Sequence, residues 1–178
     1  FICSRYRAPD PVLADLAHQA GIAHIVHQDI NSDSFIDVIP KVEYDLFVSM
    51  SFDQIFGSSL IEYPRLQSIN CHAGKLPFYR GRNILNWVLI NDEKEFGVTV
   101  HMMDEGIDTG DILAQQILPI TDEDTYRTLL VRAYEACPEL LVETIESLRA
   151  GIATSRRQSD IHPVGSYCKA RGKGDERL

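Results

Sequence analysis

The chain has few of the residues that mark secreted, metal-binding or membrane proteins. It has four cysteines in 178 residues, Cys3, Cys71, Cys137 and Cys168, and they show neither metal-ligand spacing nor the pattern of a secreted disulfide framework. We expect reduced thiols. No uninterrupted apolar run approaches the roughly 20 residues that cross a bilayer, and no charged and then apolar leader opens the sequence. The sequence therefore predicts a cytoplasmic protein without a membrane partner.

Positive charge is also scarce. The formal net charge of −9 argues against broad nucleic-acid binding, because phosphate contacts need clustered Lys and Arg. Residues 152–178 hold six Lys or Arg against three acids, a balance of +3, which leaves 11 against 23, or −12, for residues 1–151. The length suits one ordinary domain with an appendage. We predict a domain over residues 1–150 and, over residues 151–178, a basic C-terminal arm or the start of a further element.

The first third of the chain alternates between strand and helix signals. Predicted strands lie at residues 1–3, 23–26 and 44–50, and predicted helices begin at Asp10-Pro11 and span residues 34–42. This β-α-β-α-β order favours a parallel sheet covered on both faces, with right-handed crossovers. The fold class is therefore α/β, as a Rossmann-like, doubly wound, mostly parallel sheet whose ligands gather beyond the carboxyl ends of the strands.

The rest of the chain continues with longer elements. A strand at residues 66–71 and a helix at 82–91 precede two strands at 96–102 and 112–118, which enclose an Asp-rich loop. Residues 126–149 have a helical apolar repeat, which Pro138 should kink or split. Beyond Gly151 there is no regular period.

Two distant segments bring an amide, an imidazole and a carboxylate toward one site. Strand side chains alternate faces, so Asn70 and His72 point the same way and Cys71 points the other way. Glycines in the loop after His101 hold Asp108 in a fixed place, where its carboxylate could orient and charge-balance His72. Taken singly, an Asn-x-His is most often a structural turn and an Asp-Gly loop a hairpin connector. Their joint occurrence favours a functional site.

A metal centre is the other way to activate a carbonyl with such residues. The side chains that could supply ligands are His72, His101, Asp104, Asp108 and Asp111. None falls in a tight diagnostic spacing such as His-Glu-x-x-His, so no metal is expected.

The order Asn-x-His, Leu-Pro, Arg-Gly and Asp-x-Gly-x-Asp-x-Gly-x-Ile resembles the formyltransferase family that uses 10-formyltetrahydrofolate. The resemblance extends from about Phe1 to Leu148 and more weakly into residues 165–167 and 174–176. It implies the formyltransferase fold, makes residues 1–150 the catalytic domain, and matches Asn70, His72 and Asp108 to the family's catalytic Asn, His and Asp. Family members usually begin with one further strand and helix, which are missing from this sequence.

The run from Gly74 to Trp87 looks closest to sugar N-formyltransferases. The implied reaction is formyl transfer to the amine of a nucleotide-linked amino sugar, so the implied partners are small molecules. The alternatives are transfer to glycinamide ribonucleotide or to methionyl-tRNA, hydrolysis of the formyl-folate, and a non-catalytic ligand-binding domain. The acidic body speaks against tRNA, and a homodimer is compatible with the resemblance.

The resemblance also implies two binding regions. Folate as cosubstrate would be held by a loop after the third strand and by the Asp-rich loop, through Met50, Gln54, Ile55, Phe56, Met103, Asp104 and Gly106. Ile55 and Phe56 could instead simply cap the core. Phosphate and base would be held by Lys75, Tyr79, Arg80 and Arg82, because bidentate cations and rings suit a nucleotide. A solvated turn braced by Arg80 is the alternative, and Trp87 is expected in the core.

The chemistry assigns a role to each catalytic candidate. Asn70 would donate its amide N–H to the oxyanion of a tetrahedral intermediate. His72 would take a proton or, when charged, support the oxyanion. Asp108 would either fix the tautomer of His72 or relay a proton through water to the leaving nitrogen.

Overall fold

A computed structural model describes residues 1–175 of the chain. It divides into two compact units, Phe1–Ser68 and the part from Ile69 onward. The division at residue 150 stays a prediction, and the last three residues of the predicted arm, with Glu176 of the weak family resemblance, lie outside the described residues. No helix within residues 1–175 is long and apolar enough to span a membrane.

The first unit is built around a parallel pair of strands. Strands β1 (Ile2–Ser4) and β2 (His24–Val26) are joined by helix α1 (Pro11–Gln19). Helix α1 begins where it does because the Asp10 carboxylate accepts the backbone N–H of Val12 and proline occupies the first helical position. The unit continues with α2 (Asp33–Val38), β3 (Phe47–Met50) and α3 (Ser58–Ile61).

The core of the first unit is aliphatic and aromatic. Its buried members are Ile30, Phe35, Ile39, Phe47 and Leu60. Helix α2 ends at Val38 rather than at residue 42, because Pro40 follows and restricts the residue before it to extended backbone. The parallel pair and its crossover helix give the α/β character that the sequence predicts.

The second unit contains an antiparallel sheet. Strand β4 (Ser68–His72) pairs with β6 (Glu95–Met102), with Asn70 opposite His101, and β6 pairs with β7 (Ile112–Pro119). The register shifts between Val100 and His101, which re-aims the side chains at this end of β6. The two strands predicted around the Asp-rich loop are thus a hairpin, and the α/β fold class is confirmed.

Two helices cover this sheet. Helices α4 (Ile84–Ile90) and α5 (Tyr126–Arg149) pack with β6 around Val88, Phe96 and Leu129. Pro138 lies inside α5 without dividing it, and the buried Ala133, Ala136 and Cys137 anchor the helix just before the proline. The predicted split therefore does not occur, because packing holds the helix where one hydrogen bond is lost.

The segment after Gly151 folds against its own unit. Arg156 forms an antiparallel bridge with Ile112, and a short 3-10 helix follows at Gln158–Asp160. Strand β8 (Tyr167–Cys168) pairs in parallel with β5 (Arg80–Gly81). Residues without any periodic pattern therefore reach the loops that follow β4 and β6.

Candidate active site

The structure brings Asn70, His72 and Asp108 together in the second unit. Asn70 Nδ2 donates to Asp108 Oδ1 at 3.3 Å, and His72 Nδ1 lies 3.6 Å from Asp108 Oδ2. Strand β4 supplies the first two on one face, and the loop between β6 and β7 supplies the carboxylate. The His72 side chain is 9% exposed and that of Asp108 11%, so the group is nearly closed but still reaches the surface.

The tautomer of His72 is fixed by a backbone carbonyl. His72 Nε2 lies 2.7 Å from the Tyr79 carbonyl oxygen, which only accepts, so Nε2 carries the proton and donates. In the neutral ring Nδ1 is then unprotonated and faces Asp108 Oδ2 at a distance too long for a hydrogen bond. Tyr79 makes this contact from left-handed backbone, with φ +60°. The hydrogen bond that fixes the His72 tautomer in this structure is thus made to the Tyr79 carbonyl, and the role of Asp108 stays a prediction.

His101 joins the group although the sequence did not single it out for this purpose. Its Nδ1 donates to the Met102 carbonyl at 2.7 Å, so Nε2 of the neutral ring accepts from Asn70 Nδ2 at 3.2 Å. His101 Nε2 also lies 3.5 Å from Asp108 Oδ1. The strand around His101 was predicted, but its register opposite Asn70 was not, and that register decides the contact.

Asp108 is held by donors from three directions. Gly81 donates its N–H to Asp108 Oδ2 at 2.9 Å, and Gln158 Nε2 donates to the carbonyls of Asp108 and Gly110 at 2.8 Å each. Gln158 is 3% exposed, and its Oε1 accepts from the guanidinium of Arg80. Asp108 itself has left-handed backbone, φ +55°, which Asp tolerates better than most residues. Gln158 lies several residues after the end of the helical apolar repeat, so no sequence signal indicated its role.

These contacts set the protonation states of the pair. Burial lowers the pKa of His72; the charge of Asp108 and the bond to Tyr79 act against this lowering, and the charge of His101 adds to it. Burial acts to raise the pKa of Asp108, but the bond to His101, the charge of His72 and the Gly81 N–H together lower it. Near neutral pH the site thus holds a neutral imidazole beside a carboxylate.

The other acidic side chains of the loop stabilise the turn. Asp104 Oδ1 accepts from the N–H of Gly106 at 3.1 Å and from the hydroxyl of Thr109 at 2.6 Å, and Ser155 donates to Asp111. Within residues 1–175 no three His, Cys, Asp or Glu side chains are grouped so that they could hold a metal ion. Asp104 and Gly106, two predicted folate contacts, therefore already share one hydrogen bond.

The predicted folate residues of the first unit divide into two kinds. Met50 and Ile55 are exposed, by 43% and 63%, whereas Gln54 accepts from the Ile30 N–H and donates to the His27 carbonyl. Met50 and Phe56 line an apolar cavity of about 370 Å³. Phe56 also packs against the core of the unit. A ring-binding role for Met50 and Phe56 stays a prediction, and the Gln54 side chain is committed to the backbone of the segment that follows β2.

The predicted phosphate-binding cations are largely engaged within the chain. Lys75 forms an ion pair with Glu95, and Arg80 donates to Gln158 and to the Val164 carbonyl. Arg82 is exposed. Arg80 therefore braces the loop, the alternative that the sequence left open.

A cavity of about 550 Å³ opens in the second unit beside these residues. We call it the Trp87 cavity, and its wall includes Lys75, Tyr79, Trp87, Glu93, Tyr167 and Lys169. Trp87 was expected in the core but is only half-buried, with its Nε1 donating to the Lys169 carbonyl at 2.9 Å. One edge of the amphipathic indole thus binds the backbone of Lys169, the residue after β8, and the ring also borders the cavity.

The fold and this group of side chains define a class of protein. Residues 3–145 match the family model described as formyl transferase. The chain belongs to the formyl transferase family, and the predicted resemblance is confirmed.

Individual relatives fall into two groups. The chain is 36% identical over 149 residues to methionyl-tRNA formyltransferase of Thermodesulfovibrio yellowstonii, covering 84% of this chain and 48% of the relative. It is 40% identical over 153 residues to that of Citrifermentans bemidjiense, covering 85% and 48%. The chain thus spans about half the length of the curated relatives it matches. Among solved structures, the formyltransferase PseJ from Anoxybacillus kamchatkensis, in complex with UDP-4,6-dideoxy-4-formamido-L-AltNAc and tetrahydrofolate, superposes with a TM-score of 0.70 at 26% identity, covering 94% of this chain and 83% of PseJ.

Proposed function

We propose that the protein transfers the formyl group of 10-formyltetrahydrofolate to the amine of a nucleotide-linked amino sugar. The observation that carries the proposal is that polar atoms of Asn70 and His72 lie 3.3 Å and 3.6 Å from the carboxylate oxygens of Asp108. Family membership supports the reaction class. The PseJ complex, which contains a formamido-sugar nucleotide and tetrahydrofolate, supports the pair of substrates.

Asn70 acts on the oxygen of the formyl group. The attacking amine forms a C–N bond to the formyl carbon, and the carbonyl oxygen becomes an anion. Asn70 Nδ2 has two hydrogens, one toward His101 and one toward Asp108 at a long 3.3 Å. The second bond is the weaker, so its hydrogen turns to the oxyanion. Removing such a donor in acyl transfer costs about 3 to 4 kcal/mol of barrier.

His72 and Asp108 handle the proton. The new ammonium loses its proton to Nδ1 of His72, which is unprotonated because the Tyr79 carbonyl holds the proton of the ring on Nε2. The carboxylate of Asp108 stabilises the imidazolium that forms. The proton then passes to the leaving nitrogen of the folate, the bond from carbon to that nitrogen breaks, and tetrahydrofolate and the formamide leave.

Methionyl-tRNA is the second candidate acceptor, because curated relatives with that activity are 36% to 40% identical. Two observations favour the smaller acceptor. The net charge of −9 opposes a polyanion. Lys75 and Arg80, which could contact phosphates, are already bound to Glu95 and Gln158.

The test is a turnover assay on the full-length protein. Formyl-folate is incubated separately with amino-sugar nucleotides, glycinamide ribonucleotide, methionyl-tRNA and water alone, and the appearance of tetrahydrofolate is followed. We expect rapid release only with an amino-sugar nucleotide. Faster tetrahydrofolate release with methionyl-tRNA would make methionyl-tRNA the acceptor in place of the amino-sugar nucleotide. Release without any acceptor would indicate a formyl-folate hydrolase. Folate binding without turnover would indicate a non-catalytic ligand-binding domain.

A further inference from the structure

We infer that the Trp87 cavity binds the nucleoside diphosphate part of the acceptor, with the base on the aromatic wall and the phosphates at Lys169. The inference rests on the proposed function and extends it from the catalytic group, Asn70, His72 and Asp108, to the residues around the Trp87 cavity. Its volume of about 550 Å³ lies within the range of about 300 to 1,000 Å³ typical of small-molecule pockets.

The aromatic wall supplies the stacking surface. Trp87 and Tyr167 contribute rings, and Tyr167 is 57% exposed although it lies in a paired strand. The Nζ of Lys169 lies 6.0 Å from the centre of the Trp87 ring, so a cation and a ring face share one end of the cavity. Stacking of a base on an aromatic side chain is worth about 1 to 3 kcal/mol. A heterocyclic base therefore gains more here than an aliphatic ligand would.

The polar wall is ordered around the Tyr79 hydroxyl. That hydroxyl donates to Glu93 and accepts from Asn91 Nδ2 at 3.1 Å. Burial, together with the bond to Glu93, raises the pKa of Tyr79 to about 12, so the hydroxyl stays protonated. Glu93 and Asn91 both line the cavity, and their carboxylate and amide oxygens are acceptors that suit the N–H edge of uracil, thymine or guanine.

The charges of the wall balance, which suits a ligand of limited negative charge. Lys75 and Lys169 stand against Glu93 and Glu95, and Lys75 is paired with Glu95. Lys169 is paired with Asp175 at 3.1 Å but is 68% exposed, so it can turn to a phosphate. A long polyanion would meet the acidic side chains, whereas Lys169 can contact a short diphosphate.

Tyr79 connects this cavity with the catalytic group. Its side chain lines the cavity and its carbonyl accepts the proton of His72 Nε2. A ligand that contacts the ring of Tyr79 therefore touches the residue whose carbonyl sets the tautomer of His72.

Trp87 is the only tryptophan of the chain, which gives a direct readout. The full-length protein is titrated with UDP, dTDP and GDP while tryptophan fluorescence is recorded, with the Trp87→Phe variant as the blank and calorimetry as a second measurement. We expect a saturable change that Trp87→Phe removes. Tyr167→Ala and Lys169→Ala should each weaken binding about tenfold, as the loss of one stacking or charge-assisted contact predicts.

The matched control is Lys94→Ala. Lys94 is exposed, pairs with Asp92 and lies next to Glu93 in sequence, but it does not line the cavity. We expect unchanged nucleotide affinity.

The outcomes separate this inference from the proposed function. Nucleotide binding that is lost in Tyr167→Ala and Lys169→Ala supports the cavity even if no formyl transfer occurs. If both variants transfer the formyl group with the wild-type KM for the acceptor, the cavity is not the nucleotide site, and the proposed reaction is unaffected. A fluorescence change on dilution alone, without nucleotide, would assign the cavity to self-association and also overturn it.

Discussion

The proposed catalytic group, Asn70, His72 and Asp108, and the Trp87 cavity lie in the same unit but are built in opposite ways. Around Asp108, hydrogen-bond donors come from Asn70 and Gly81, and the side chain is 11% exposed. Around Trp87, rings and balanced charges surround about 550 Å³ of open space. Chemistry on a carbonyl needs dipoles fixed in advance, whereas recognition needs room and a broad surface. Tyr79 belongs to both, through its carbonyl in one and its ring in the other.

His72→Asn would break the catalytic side of this comparison most severely. Asparagine keeps a polar side chain but removes the proton acceptor, so we expect kcat to fall about 1000-fold. Steady-state kinetics and a thermal melt measure the two effects, with the exposed His18→Asn as the control. Normal turnover in His72→Asn would remove this histidine from the mechanism.

Asp108→Asn keeps the shape of the carboxylate and removes its charge. We expect kcat to fall about 100-fold, because the imidazolium then lacks its counter-charge. The Gly81 N–H retains an acceptor, so the fold should survive, as circular dichroism would show. A variant that loses its fold but not its specific activity per folded molecule would make Asp108 structural only.

Gln158→Ala tests how much the centre depends on distant support. It leaves the carbonyls of Asp108 and Gly110 without their donor, and we expect unfolding to require about 2 kcal/mol less free energy. Gln158→Met, which keeps the volume but not the donor, should behave similarly in denaturant melts. Full stability in Gln158→Met would show that packing, not hydrogen bonding, is what this residue contributes.

The pH dependence sharpens the comparison within the catalytic group. The pKa of His72 is lowered, so kcat/KM should be flat above pH 6.5 and fall about tenfold per pH unit below that lowered pKa. Asp108 raises the pKa of His72 and His101 lowers it. The acid limb should therefore move to lower pH in Asp108→Asn and to higher pH in His101→Asn. Shifts in the same direction would contradict this electrostatic account.

Local patterns predict the elements that carry the site but not all of its contacts. The period of two along β4 places Asn70 and His72 on one face, and the glycines of the loop place Asp108, because these signals act over a few residues. His101 depends on the register between β4 and β6, which no single strand encodes. Gln158 lies 50 residues from Asp108 in a segment without period.

Trp87 shows the same limit from the other direction. Its position on a helix predicts burial, and three of the six other residues of α4, Ile84, Leu85 and Val88, are indeed buried. The indole instead meets a distant segment: its Nε1 donates to the Lys169 carbonyl, and the Lys169 ammonium lies over the ring at 6.0 Å from its centre. Long-range closure, rather than local preference, decides whether such a ring is core or surface.

The Gln158 clamp has a consequence for how proteins of this kind are divided. The family match ends at residue 145, yet the amide that steadies the Asp108 loop comes from residue 158. Support for the Asp108 loop thus comes from a segment beyond the residues that the family model matches. Exchanging that segment between relatives would be expected to retune turnover without altering any inherited catalytic side chain.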